Sequence, residues 1–277
     1  MTEAKRVRVG ALDMEYGEAG DGGRAFVLVH GFTGSRDDFA DVLPSLAREG
    51  RTLAPDSRGH GGTTNPGVPE GYTLEQMSAD LAGFLDALDI ERCDLLGHSL
   101  GGMVTLRFVL AHPERVSSLV LMDTAPGPLT LMPRQILDAG AQVVRAHGMA
   151  ALAEGMKANP PWERSPAARR TALRMGKKRF WERIEAKLLA MDPEAFANLG
   201  AVLADQEGVH HRLGEIGCPT LVIVGEEDQP FLEPSLAMAE AIPDATHVVV
   251  PGAAHSPQFE NEAVWLEAVT AHLKRAR

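Results

Sequence analysis

Two cysteines, Cys93 and Cys218, in 277 residues are too few for a disulfide framework or for a zinc module built on several cysteines. No apolar run approaches the roughly 20 residues that a bilayer-spanning helix needs. The first ten residues are charged and hold no apolar stretch, so a secretory signal is not expected. Basic residues are outnumbered, 27 Lys+Arg against 38 Asp+Glu, for a formal net charge of −11. That balance argues against a general nucleic-acid binder. These absences lead to the expectation of a soluble, cytoplasmic globular protein, monomer or homodimer, without a membrane, nucleic-acid or metal partner.

What is present is an ordinary globular mixture, 44% hydrophobic and 23% charged. Short apolar runs recur at 25–29, 52–55, 93–96, 119–122, 220–224 and 247–250. They are continuous rather than alternating, the pattern of parallel strands covered on both faces. Helical stretches separate them. Thr73-Leu-Glu-Gln76 has the form of a capping box, and the apolar positions Leu81, Phe84, Leu85 and Leu88 follow it. Residues 99–111 and 264–273 read as further helices, and 7–19 as an entering hairpin with Gly10 near its turn. Alternating strands and helices predict an α/β fold, a mostly parallel sheet with helices on both faces.

One gap is too long for a single crossover helix. Between the runs at 119–122 and 220–224 the chain carries helix signals of its own. Ser165-Pro166 and Asp192-Pro193 each place a capping residue before proline at the first helical position. Gly148 suits the end of a helix that starts near Pro133. The expected organisation is a core of 1–126 and 213–277 with a helical cap inserted at 127–212. The insert has 13 Lys+Arg and 9 Asp+Glu, whereas the flanking segments have 11 against 19 and 3 against 10. Solvated helix faces account for this excess, and attraction of an anionic substrate is the sharper alternative.

Gly97-His98-Ser99-Leu100-Gly101-Gly102 lies between an expected strand and an expected helix. In this G-x-S-x-G pattern the chain turns sharply, so the serine takes a strained conformation and its flanking positions need glycine. The serine hydroxyl is then exposed above the sheet, beside the N–H groups that open the helix. A serine needs a base, and the base needs an orienting acid. Among ten histidines, His255 follows the last expected strand, at the sheet edge where functional groups gather. Asp228, after the strand at 220–224, is the leading acid, with Asp123, Glu226 and Glu227 as competitors. The backbone N–H groups of Phe32, in His30-Gly31-Phe32-Thr33-Gly34, and of Leu100 are the candidate donors to a developing oxyanion.

With these segments in place the chain resembles the α/β-hydrolase superfamily over about 7–273. His30-Gly31-Phe32 looks like its oxyanion loop, and Asp56-Ser-Arg58-Gly59-His60-Gly61 like its turn after the next strand. Residues 97–102 look like its nucleophile elbow, and Asp228 and His255 like its acid and base. The resemblance implies a mechanism without cofactor or metal, in which Ser99 attacks, His255 relays the proton and Asp228 holds the imidazole. Family members that open epoxides or remove halides use an aspartate where Ser99 stands. Esterases, lactone hydrolases and hydrolases of carbon–carbon bonds are nearer in pattern. The loop at 31–35 also looks like that of a menaquinone-pathway synthase, though the only arginine pair in the insert, Arg169-Arg170, has no evident matching position.

The expected activity is therefore hydrolysis of a carboxylic ester or lactone of a small, mainly apolar molecule. Carbon–carbon bond hydrolysis or a related lyase reaction is the alternative, and a non-catalytic ligand-binding protein a minor one. Met132, Met149, Met156, Met175 and Met191, with Trp162, Phe180, Trp181 and Phe196, give the insert adaptable apolar surface. Trp162, Phe180 and Trp181 are the candidate pocket residues, although each would equally serve to pack the insert.

Overall fold

A computed structural model of the protein describes residues 3–128 and 134–276. Met132 and Pro133 lie outside the described residues. Among the described residues the strands are β1 (Ala4–Val9), β2 (Leu12–Ala19), β3 (Ala25–Val29), β4 (Thr52–Pro55), β5 (Cys93–His98), β6 (Val116–Met122), β7 (Thr220–Gly225) and β8 (Ala245–Val250). The helices are α1 (Leu43–Leu46), α2 (Leu74–Ala87), α3 (Leu100–Ala111), α4 (Arg134–Ala158), α5 (Pro161–Arg164), α6 (Pro166–Met175), α7 (Lys177–Leu189), α8 (Pro193–Asp205), α9 (Gln229–Ala241), α10 (Pro257–Glu260) and α11 (Glu262–Arg275).

The eight strands form one sheet in the order β1-β2-β4-β3-β5-β6-β7-β8. β1 and β2 pair antiparallel, as do β2 and β4, and the other pairs are parallel. Each apolar run is a strand, as its lack of alternation predicts. Val27, Val29, Leu95, Leu119 and Leu121 face Leu81, Phe84, Leu106 and Phe108 of α2 and α3. The intervening Phe26, Leu28, Leu96, Val120 and Ile223 face Leu43 and Leu46 of α1 and Trp265, Val269 and Leu273 of α11. A strand with helices on both faces has no polar side, so both of its side-chain sets are apolar.

The chain runs from β3 out to β4 and returns past β3 to β5. The connections therefore leave in opposite directions from adjacent strands, which opens a crevice at the C-terminal ends of β3 and β5.

Local signals differ in how they are used. Gly10 turns the entering hairpin with φ +56. Thr73 caps α2 by accepting from the Gln76 N–H at 3.1 Å. The other half of the expected box is not made, because the Gln76 amide turns to Asp80 instead. The reciprocal box occurs at Ser35 and Asp38, on a short 3₁₀ turn after β3. Ser165 and Asp192 cap α6 and α8 as expected. Gly148, with φ 77 and ψ 173, ends the first helical stretch of α4 as expected, and a second stretch follows directly across the kink.

α4 to α8 all lie between β6 and β7. Arg183 of α7 pairs with Asp41 at 2.5 Å, Lys187 with Asp38, and Arg170 of α6 with Glu227. Asp192 at the start of α8 donates its N–H to the Gly59 carbonyl at 2.9 Å and accepts from the Tyr72 hydroxyl. Phe196 of α8 stacks on Phe32 with centroids 5.1 Å apart. No helix among the described residues is long and apolar enough to cross a membrane.

Candidate active site

β5 ends in the strained turn that the glycine pattern predicts. Ser99 has φ +53 and ψ −117, a conformation few side-chain-bearing residues adopt. A Cβ on Gly97 would lie 2.5 Å from the Gly101 carbonyl oxygen, and one on Gly101 2.5 Å from that of His30, so neither position admits a side chain. The turn is tied to β6: the Ser99 N–H donates to Met122 O at 2.9 Å, and the Thr124 hydroxyl to Ser99 O at 2.7 Å.

The loop after β3 comes down onto the same residue. A Cβ on Gly31 would be 3.0 Å from that of Ser99, a separation only glycine leaves comfortable. Among the described residues, neither the Phe32 nor the Leu100 N–H donates to a protein acceptor outside regular helix bonding. His30 is fixed beneath them, donating from Nδ1 to Gly31 O at 2.8 Å and accepting at Nε2 from the Ser57 N–H at 2.9 Å.

Asp228 and His255 come from the loops after β7 and β8. His255 Nδ1 donates to Asp228 Oδ2 at 2.7 Å, a contact that places any lone pair of the imidazole on Nε2. The His255 side chain is 43% exposed against 10% for Asp228, so solvent and small molecules reach His255 but not Asp228. The imidazole stacks on Phe231 at 4.8 Å and tilts against His98 at 4.9 Å. No Ser99–His255 hydrogen bond forms among the described residues; such bonds often tighten only when substrate arrives.

Two neighbours, His98 and Glu260, escaped the sequence reading. His98, there the variable position of the elbow, donates from Nε2 to the His255 carbonyl at 2.7 Å. Burial and the nearby His255 lower its pKa to about 3, so its ring is neutral. Glu260 Oε2 accepts from the Ala254 and Ser256 N–H groups at 2.7 and 3.2 Å, the two amides that flank His255. Burial raises the Glu260 pKa, opposed by those two amides. The spacing His255-x-x-x-x-Glu260 at the start of a helix was the available signal. Asp123, weighed as a competing acid, lies behind Asp228, so that Asp123, Asp228 and His255 bring ligand-type atoms within 4.8 Å of one another. Glu227 instead pairs with Arg170 and accepts from the Ala167 N–H, and Glu226 accepts from the Gly252 N–H.

A cavity of about 400 Å³ opens beside His255, lined by Ala168, Phe180, Ile184, Lys187, Asp228 and Phe259 among others. Of the three expected pocket aromatics, only Phe180 lines it. Trp162 packs edge-on against Phe180 at 6.0 Å with Lys177 over its ring, and Trp181 is buried. Arg169 and Arg170 do not form an anion site: Arg170 is held by Glu227 and Gly252 O, and Arg169 reaches Trp162 O. Arg58 grips Asp80 and Gly71 O, and His60 donates to Arg58 O, so both brace the turn after β4. A larger surface groove of about 550 Å³, between α7 and the loops after β3 and β4, contains neither Asp228 nor His255, and Ser99 lines neither space.

A family model described as alpha/beta hydrolase fold matches residues 24–262. A Bacillus subtilis (strain 168) protein provisionally named 2-succinyl-6-hydroxy-2,4-cyclohexadiene-1-carboxylate synthase is 30% identical over 92% of this chain and 92% of its own. A 2-hydroxy-6-oxononadienedioate/2-hydroxy-6-oxononatrienedioate hydrolase of Cupriavidus pinatubonensis is 31% identical over 88% and 84%. Among solved structures, a thermophilic esterase from Thermogutta terrifontis superposes with a TM-score of 0.83 at 28% identity, covering 99% of both chains. The chain belongs to the α/β-hydrolase family and is a hydrolase.

Proposed function

We propose that the protein hydrolyses a carboxylic ester or lactone of a small, mainly apolar molecule through an acyl-enzyme on Ser99. The observation that carries this reading is the convergence of three loops. Ser99 stands in its strained turn, His255 is held by Asp228 at 2.7 Å, and among the described residues the Phe32 and Leu100 N–H groups meet no protein acceptor outside regular helix bonding.

The chemistry follows from these positions. His255 Nε2 takes the Ser99 proton as Oγ attacks the carbonyl carbon. The charge that develops on the carbonyl oxygen is met by the Phe32 and Leu100 N–H groups, reinforced by the start of α3. Collapse expels the alcohol, which receives the proton from His255. Water then attacks the acyl-enzyme by the same route and frees Ser99. Asp228 keeps the imidazole in the tautomer with its proton on Nδ1 and stabilises the imidazolium that forms.

The helices between β6 and β7 act as a cap over this site in our reading. The cavity wall is mostly apolar, from Ala168, Phe180, Ile184 and Phe259. Its two cations, Arg183 and Lys187, are already paired with Asp41 and Asp38. That pairing favours a neutral substrate over an anionic one. The relation to the Cupriavidus hydrolase supports a second reading, carbon–carbon bond cleavage by the same residues.

The test is labelling by a fluorophosphonate with peptide mapping, then turnover of p-nitrophenyl esters of rising acyl length. The expected result is label on Ser99, turnover of short esters, and loss of both in Ser99→Ala. Label without ester turnover would favour the carbon–carbon reading, and absence of label would overturn the acyl-enzyme.

A further inference from the structure

Behind the Asp228–His255 pair lies a second carboxyl group that the proposed chemistry does not use. Asp123 follows β6 directly and is fully buried, with φ +44 in the left-handed region that residues with side chains seldom occupy. Its backbone is fixed by donation to Ile223 O at 3.0 Å. One carboxyl oxygen, Oδ1, accepts from the Gly225 N–H at 2.9 Å. The other, Oδ2, meets no donor among the described residues and faces the Asp228 carboxylate. Two ionised carboxylates cannot share such a place without a proton between them.

We propose that Asp123 is a positioning residue, a neutral carboxylic acid that donates from Oδ2 to Asp228 and thereby holds the acid that orients His255. Two acids then carry one proton and one negative charge, and the charge sits on the member nearer the base. The titratable groups around Asp123 are Asp228 from the loop after β7, His255 from the loop after β8, and Glu260 from α10. Burial raises the Asp123 pKa well above the ordinary range, and the Asp228 charge raises it further. The Gly225 N–H opposes both. The strained backbone fits this picture: it is kept where it aims a carboxyl under Asp228. The inference rests on the reading of Asp228 as the orienting acid.

The experiment compares Asp123→Asn, Asp123→Leu and the parent protein. Asn is the isostere of the protonated acid: its Oδ1 stays on Gly225 and its Nδ2–H replaces the donated proton. If Asp123 is neutral, Asp123→Asn keeps the acid limb of the kcat/KM–pH profile in place and loses far less rate than Asp123→Leu. If Asp123 is ionised, Asn removes a negative charge beside His255, and the limb moves down by about one pH unit, which would overturn the proposal. Asp123→Leu removes the donor, and kcat should fall roughly 10- to 100-fold with little change in KM.

Infrared spectroscopy supplies a readout that needs no turnover. The parent protein at neutral pH should show the carbonyl stretch of a protonated carboxylic acid, absent in Asp123→Asn; no such band sinks the proposal. Should Asp123→Leu not fold, the Asn profile and this band decide. Near-normal turnover in Asp228→Asn would instead refute the underlying reading of Asp228, so the two failures are distinguishable.

Discussion

His98 Nε2 donates to the backbone carbonyl of His255 across 2.7 Å, so the residue before the elbow serine holds the loop of the residue expected to activate it. Glu260 takes the amides on either side of the same histidine. The imidazole is therefore located by its backbone as well as by Asp228 and Phe231. A side chain held at several points loses less motional freedom when it must act, which is what preorganisation means here.

Removing the His98 contact should act on the position of His255 rather than on substrate affinity. His98→Leu is expected to lower kcat roughly tenfold or more while KM changes little, because one hydrogen bond to a loop is lost. Steady-state kinetics on a short ester check this; an unchanged kcat would remove His98 from the positioning set.

Asp228→Asn keeps the size of the side chain but presents an amide to Nδ1 and favours the wrong tautomer. The expected loss in kcat is on the order of 10⁴-fold with the fold intact, read by rates and circular dichroism. A loss of less than about tenfold would move the role of acid elsewhere, with Asp123 the nearest carboxyl.

Gly31→Ala tests the loop over Ser99. A Cβ there would sit 3.0 Å from the Ser99 Cβ, so the loop must retreat and carry the Phe32 N–H away from the oxyanion position. Activity should fall on the order of 100-fold, as for loss of one oxyanion donor, with only a small change in melting temperature. Full activity would exclude the Phe32 N–H as a donor.

Acid should destabilise the protein through its buried histidines. Burial lowers the pKa of His60 and His98 to about 3 and of His272 to about 4. A histidine with a depressed folded pKa contributes its full stability above the unfolded value, about 6.5, and loses it as pH falls toward the folded value. Melting temperature should therefore decline progressively below pH 6.5. His272 has neither ring nitrogen hydrogen-bonded among the described residues, so His272→Leu should raise the melting temperature and flatten this decline. A steeper decline in that variant would contradict the account.

Much of this architecture was legible in the chain because its signals are local. A strand covered on both faces must be apolar throughout, so β3 to β7 stood out as runs. A sharp strand-to-helix turn excludes side chains, so Gly97, Gly101 and Ser99 marked themselves, and strand ends pointed to His255, Asp228 and the loop at Phe32. The long span between β6 and β7 declared itself by length and by its Ser165 and Asp192 caps. The rest depended on which segments the fold brings together. Nothing in the order of residues shows that His98 reaches the carbonyl of a loop 157 positions on, that Glu260 holds the amides beside His255, or that Asp123 faces Asp228 rather than solvent. Nor does composition tell that Phe180 lines the cavity while Trp181 is buried, since both have the same apolar character. Spacing and residue type decide what the backbone can do locally, whereas the pairing of distant polar groups is fixed only when the sheet sets its strand ends side by side.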